Sequence, residues 1–221
     1  MVTLEPFPMN TTAPLTNYNM NARDYNARVM QGFFRKIYPV IADDILARTG
    51  VAQGFCVDLG GGPGMLGIEY ARRTVARVEI CDPLPGCIDV ARENIAAADL
   101  LDRMDARLGA AEALPYETAS VDLVMSRGSI FFWSDQAKGL AEVQRVLRPG
   151  GWAFIGGGMG NAQLLAEINE ARKDDPQWGE GRRKRMAENP PEHYEAIVRR
   201  LGLPAAVEDD EVGTWIVWQK C

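Results

Sequence analysis

Histidine is nearly missing from this chain: His193 is the only one in 221 residues. Cysteine occurs four times, as Cys56, Cys81, Cys87 and Cys221, and never as a CxxC pair. A zinc site of the usual kind draws its ligands from clusters of these two residue types, so no metal centre is expected. Cys56 and Cys81 lie within apolar runs, where a free thiol behaves as a small hydrophobe. No apolar run approaches the length of a membrane-spanning helix. Met1–Thr16 has neither a basic start nor an apolar stretch of leader length, and the expectation is a cytoplasmic protein without membrane contact. Positive charge is also short: 24 Lys and Arg face 30 Asp and Glu, a net charge of −6. That balance disfavours nucleic acid as a partner. One basic run, Arg182-Arg183-Lys184-Arg185, goes against the average. It reads as a solvated helix face, with a contact for an acidic substrate or partner as the alternative.

The rhythm of the chain carries more. Residues 1–20 are rich in Pro, Asn and Thr without periodicity and read as an extended arm. Val29, Phe33, Phe34 and Ile37 recur at helical spacing through Ala22–Tyr38. Pro39 is expected to interrupt this helix, and Val40–Thr49 to continue as a second one stopped by Gly50. Strands are expected at Phe55–Leu59, Val75–Cys81, Asp105–Leu108, Val121–Ser126 and Trp152–Ile155. Between them fall helical patterns at Met65–Arg73, Pro85–Asp99 and Gln136–Leu147, the last closed by Arg148-Pro149-Gly150-Gly151. Such alternation, in runs too continuously apolar for a half-exposed sheet, predicts a parallel sheet covered on both faces. Beyond Gly160 come a helix over Ala162–Lys173, a polar loop or broken helix over 174–191, and a helix over Glu192–Leu201. Ala205–Glu208 and Thr214–Gln219 then read as a hairpin. Residues 1–50 are expected to form a lid belonging to one α/β domain over 51–221.

The strongest constellation is Val57-Asp58-Leu59-Gly60-Gly61-Gly62-Pro63-Gly64, after a buried strand and before a helix. Glycines there let the backbone turn tightly and approach a ligand, and the helix N-terminus offers free N–H groups. Asp82 closes the second strand, where an acid accepts hydrogen bonds from ribose hydroxyls in nucleotide-binding α/β folds. Two cofactor classes fit. Gly62-Pro63-Gly64-Met65-Leu66-Gly67 matches the dinucleotide string GxGxxG, but it starts three residues past the strand. The register Asp58-x-Gly60-x-Gly62-x-Gly64 places a carboxylate before the first glycine, where it would repel a pyrophosphate and receive an ammonium group. This charge logic favours S-adenosylmethionine over a nicotinamide dinucleotide.

With the segments GAAEALPYETASVDLVMSRG and EVQRVLRPGGWAFI added in this order, the chain resembles the class I S-adenosylmethionine-dependent methyltransferases. Within them it looks most like the ubiquinone/menaquinone-type branch. The resemblance spans about Phe55 to Gly158. It implies a Rossmann-like, mostly parallel seven-stranded sheet with helices on both faces and a C-terminal antiparallel hairpin, Thr214–Gln219 inserting between the fifth and sixth strands. It also implies S-adenosylmethionine as cofactor. By the resemblance, Asp58 with Gly60, Gly61, Gly62 and Gly64 would form the methionine side of the site, and Asp82 would take the ribose. Pro83, Leu84, Ala111 and Glu112 would flank the adenine. Ser126 and Arg127 would approach the sulfonium. Ala110 departs from the family, which often has Asp there to accept a bond from the adenine amino group; by the resemblance that bond would come from elsewhere, with Glu112 as the candidate, or be absent.

Methyl transfer from a sulfonium needs positioning and exclusion of water more than acid–base help. The acceptor is expected to be a small molecule. Tyr18, Tyr25, Arg127, Ser129 and Trp133 are the candidates for its pocket, with Arg127 able to bind a carboxylate. No catalytic base is evident, and His193 is a weak candidate. Two other readings stay open: a non-catalytic module that keeps the cofactor pocket, and a nicotinamide-dependent oxidoreductase using the other glycine register.

Overall fold

A computed structural model describes residues 21–174 and 176–221. Seven strands form one sheet: β1 (Phe55–Leu59), β2 (Arg77–Asp82), β3 (Met104–Leu108), β4 (Val121–Arg127), β5 (Leu147–Gly158), β6 (Ala206–Asp209) and β7 (Gly213–Gln219). Their order is β3-β2-β1-β4-β5-β7-β6. β1 to β5 are mutually parallel, and β7 runs antiparallel between β5 and β6. The expected insertion of Thr214–Gln219 between the fifth and sixth strands is what the chain adopts.

The continuous apolar strands are continuous because both faces are covered. Along β1, Cys56 packs on one face of the sheet and Val57 and Leu59 on the other. On the first face the core is completed by Ile41 and Ile45 of α2 (Ile37–Thr49), Leu66 and Tyr70 of α3 (Met65–Arg73), and Ile88 and Ile95 of α4 (Pro85–Ala97). On the second it is completed by Leu140 and Val143 of α5 (Gln136–Val146) and Ile197 and Val198 of α8 (Pro191–Leu201). Each fully buried Ile or Leu in such a core contributes about 1.5–3 kcal/mol relative to exposure.

Four local features differ from the expectations. The helical stretch near the N-terminus is α1 (Ala22–Tyr25), capped by Asn21, followed by a wide π-type helix over Asn26–Phe33 that breaks at Gly32. Pro39 does not interrupt a helix, because it sits in the first turn of α2, where a missing N–H costs nothing. Arg148-Pro149-Gly150-Gly151 lies inside β5 and does not close α5. The β4–β5 register shifts between Val121 and Leu123, and Gly150 takes φ +79 to accommodate the irregularity. The polar stretch after α6 (Ala162–Ala171) is a regular helix, α7 (Pro176–Glu188).

Candidate active site

The loop after β1 is held from two sides by carboxylates. Asp58, 1% exposed, lies beneath it and accepts the Gly67 amide at 2.8 Å, tying β1 to the first turn of α3. Burial pushes the Asp58 carboxyl up to about 7; the Gly67 bond acts against this and the Asp82 charge adds to it. Asp82, at the end of β2, accepts the Gly62 amide at 2.9 Å with one oxygen and the Leu84 amide at 3.0 Å with the other. Burial raises its pKa too, opposed by these two backbone bonds. The Gly60 amide donates to the Cys81 carbonyl at 2.7 Å, so the loop is stitched to the end of β2 at two points. Gly62 has φ +55, and a Cβ added there would meet nothing within 4 Å. Its open side faces a cavity of about 330 Å³.

The cavity lies outside the carboxyl ends of the parallel strands, where open α/β sheets bind ligands. Asp58, Gly60, Gly61, Gly62, Asp82, Pro83, Leu84, Ala111 and Glu112 line it, as do Tyr25, Arg127, Ser129 and Trp133. These residues are dispersed in sequence and brought together by the fold. Gly64 and Ser126 do not line it. A Cβ at Gly64 would come within 2.1 Å of Ile80 Cδ1, so this glycine allows α3 to pack against β2. Ser126 is fully buried, with its hydroxyl 2.6 Å from that of Ser129. Tyr18 and the arm lie outside the described residues.

Several lining residues have their polar atoms engaged. The Ser129 hydroxyl meets Ser126, donates to the Leu59 carbonyl at 3.1 Å and accepts from Trp133 Nε1 at 3.1 Å. Glu112 Oε1 accepts from the Ser134 amide, the Ser134 hydroxyl and the Asp135 amide, at 2.6, 2.8 and 3.1 Å. Burial acts to raise the Glu112 carboxyl, but the Ser134 and Asp135 donors outweigh it and hold it below its ordinary value. Glu112 therefore anchors the aromatic loop around the short 3₁₀ turn Ile130–Phe132.

Charge is distributed unevenly over the lining. The acids, Asp58, Asp82 and Glu112, sit at or beyond the ends of β1, β2 and β3; the arginines, Arg127, Arg172 and Arg185, come from β4 and the region after α6. Arg127 Nε donates to the Gly158 carbonyl at 3.1 Å, and Nη2 lies 3.5 Å from Met159 Sδ. Its guanidinium stands 4.5 Å from the ring centre of Phe34 and 5.7 Å from that of Tyr38. Burial raises the Tyr38 phenol well above its ordinary range, with the Arg127 charge and hydrogen bond acting the other way.

The sequence reading missed Met30, Phe34 and Tyr38, which wall the cavity from the region before and within α2. It also missed Trp178 and Met186 of α7 and the adjoining Asn189, whereas Arg185, which lines the cavity with them, belongs to the basic run weighed as a contact for an acidic substrate or partner. The stretch between β5 and the hairpin thus supplies one wall. The periodic Phe34 was a usable signal, and in α7 the basic run was one. His193 is not among the lining residues, and its Nε2 pairs with Gln136 Oε1 at 2.7 Å. Among the described residues no cluster of His, Cys, Asp and Glu has metal-binding arrangement, and no helix is long and apolar enough to cross a membrane.

Residues 57–155 match a family described as a methyltransferase domain. The chain is 37% identical over 117 residues to an uncharacterized methyltransferase of Mycobacterium tuberculosis, covering 53% of this chain and 44% of the relative. It is 32% identical over 104 residues to a ubiquinone/menaquinone biosynthesis C-methyltransferase of Geobacter sulfurreducens, covering 46% and 41%. The chain thus spans less than half the length of these curated relatives. A crystal structure from Methanococcus maripaludis, described as a candidate S-adenosyl-L-methionine-dependent methyltransferase, is 34% identical, with 90% of this chain and 91% of that one covered and a TM-score of 0.85.

Proposed function

The chain belongs to the class I S-adenosylmethionine-dependent methyltransferases, and from that premise we propose that it methylates a small molecule bound beside the glycine loop. Bound S-adenosylmethionine supplies a methyl group on a sulfonium, already activated for in-line displacement. The residues of the loop fit that group. Gly62 leaves open space where any side chain would intrude, and Asp82 holds each carboxylate oxygen against one backbone amide, leaving acceptor capacity on both for a ribose diol. This pairing of an open Gly62 with a backbone-fixed Asp82 is the observation that carries the reading.

In this reading Asp58 and the backbone of Gly60, Gly61 and Gly62 hold the methionine end, and the buried carboxyl of Asp58 favours a cationic group there. Pro83, Leu84 and Ala111 flank the adenine, with Glu112 setting the position of the loop across from them. Gly64 and Ser126 act through packing beneath the site. Arg127, Tyr25 and Trp133 belong to the acceptor side. The residues available near the acceptor include no histidine, which suits an acceptor that needs little help in losing a proton. A cavity of about 330 Å³ and a net charge of −6 support a small acceptor over a nucleic acid.

Calorimetry with S-adenosylhomocysteine tests the cofactor assignment, and a folded sample that binds none of it would reject the reading. The same titration with NAD(H) separates the nicotinamide alternative, since Asp58 beneath the loop disfavours a pyrophosphate. Transfer of labelled methyl groups into metabolite fractions, read by mass spectrometry, excludes a non-catalytic module and identifies the acceptor.

A further inference from the structure

Resting on that reading of the site, we propose that the acceptor carries an anionic group of the carboxylate class on a flat apolar body, and that Arg127 binds the anion. Arg127 is half-buried at the end of β4. Among the described residues its partners are the Gly158 carbonyl, the Met159 thioether, the Tyr38 phenol and the faces of two aromatic rings. All of them are neutral. Other half-buried arginines of this chain reach carboxylates: Arg73 bonds Asp43 and Glu69, and Arg145 bonds Glu142. A guanidinium withdrawn from water and given only neutral partners favours an incoming anion.

The surroundings select the shape and the sign. Phe34 and Trp178, with ring centres 5.9 Å apart, line the cavity together with Phe131, and flat rings offer stacking to a planar body. Arg172, 5.2 Å from the Trp178 ring centre, and Arg185 line it too, and the lining acids among the described residues are at or beyond the ends of β1, β2 and β3. The lining acids suit the ammonium and sulfonium of the cofactor, whose own carboxylate is left in this reading to the free amides of the glycine loop, and the arginines suit an anionic acceptor. A cationic acceptor would face repulsion from Arg127, and a neutral one would leave its charge uncompensated. The ring faces of Phe34 and Tyr38, 4.5 and 5.7 Å from the guanidinium carbon, restrict its movement by cation–π contact.

The test uses the full chain saturated with S-adenosylhomocysteine and three isosteric probes: 2-naphthoate, 2-naphthamide and 2-naphthylmethylammonium. Calorimetry should show the carboxylate binding roughly tenfold or more tighter than the other two, the gain expected of a hydrogen bond to a charged group. Arg127→Gln should bring the carboxylate down to the amide, and Arg127→Lys should retain a preference for the anion. Equal or weaker carboxylate binding, no measurable carboxylate binding, or a preference that survives Arg127→Gln would each overturn the proposal. The wild-type comparison decides it even if a variant does not fold. Repeating the titrations without S-adenosylhomocysteine keeps the two readings apart. A chain that binds the naphthoate selectively but no S-adenosylhomocysteine overturns the cofactor assignment and leaves the anion site standing.

Discussion

The Asp82 carboxylate accepts the amide of Gly62 at 2.9 Å, from a residue 20 positions earlier in the chain. One side chain thus sets both the height of the glycine loop and the edge of the cavity. Asp82→Asn can keep only one of the two backbone bonds without presenting an N–H to an N–H. Its affinity for S-adenosylhomocysteine should fall roughly tenfold or more, the cost of losing hydrogen bonds to a charged acceptor. Calorimetry measures this, and an affinity equal to wild type would reject the ribose role.

Asp58 gives a pH signature. Its carboxyl, ordinarily near 3.8, is pushed up to about 7 by burial in the folded chain. As pH rises the unfolded chain ionises first, so the folded chain holds the extra proton between about pH 4 and 7, and stability declines across that window. Asp58→Asn lacks this titration. Relative to the variant, wild type should lose stability from about pH 4 to about pH 7 and then level off, as read by chemical denaturation. Binding of S-adenosylhomocysteine, which brings an ammonium group, should strengthen over the same window in wild type only. A stability difference that does not change with pH would show that Asp58 is not the buried acid described.

Gly62 and Gly50 make a matched pair. Both take left-handed φ, +55 and +66, and an added Cβ meets nothing within 4 Å at either. Gly62→Ala and Gly50→Ala should each cost about 1–2 kcal/mol, the penalty of left-handed backbone for a residue with a Cβ. Only Gly62→Ala should also weaken S-adenosylhomocysteine binding, because Gly50 caps α2 outside the cavity lining. Equal affinity in the two variants would mean that the open side of Gly62 is not used by the ligand.

Glu112→Ala should release the aromatic loop. Three donors, the amide and hydroxyl of Ser134 and the amide of Asp135, lose their shared acceptor. Hydrogen exchange of the amides of residues 134–135 should quicken, with a fall in unfolding free energy of about 1–3 kcal/mol. Unchanged exchange at these amides would show that the loop holds itself.

Much of the glycine-loop end of the cavity was legible because it is local. Asp58, the glycines and Asp82 sit at strand ends whose apolar runs are unmistakable, and chain geometry carries them to one edge of the sheet. Gly64 looked like a fourth ligand contact because spacing records where a glycine is, not which way its missing Cβ would point. Ser126 failed for a similar reason, since alternation along β4 turns its side chain into the sheet. The acceptor side was harder. Trp178, Arg185 and Met186 come together with Phe34 and Tyr38 only through packing of α7 against the N-terminal helices, and α7 itself is too polar to announce a buried face. Pro39 and the Arg148–Gly151 run misled because proline and glycine mark helix starts and strand bulges as readily as they mark breaks.

The inserted position of β7 has a consequence for folding. Among the described residues β6 pairs with β7 alone, and β7 reaches β5 across the whole excursion through α6, α7 and α8. Until that long loop closes, β5 presents an open row of amides and carbonyls, with Phe154 and Ile155 at its centre. Such an edge is a template for pairing with another chain, and distant closures of this kind are slow. The β6–β7 hairpin therefore acts as a late latch, and the interval before it docks is when a newly made chain is most exposed to self-association.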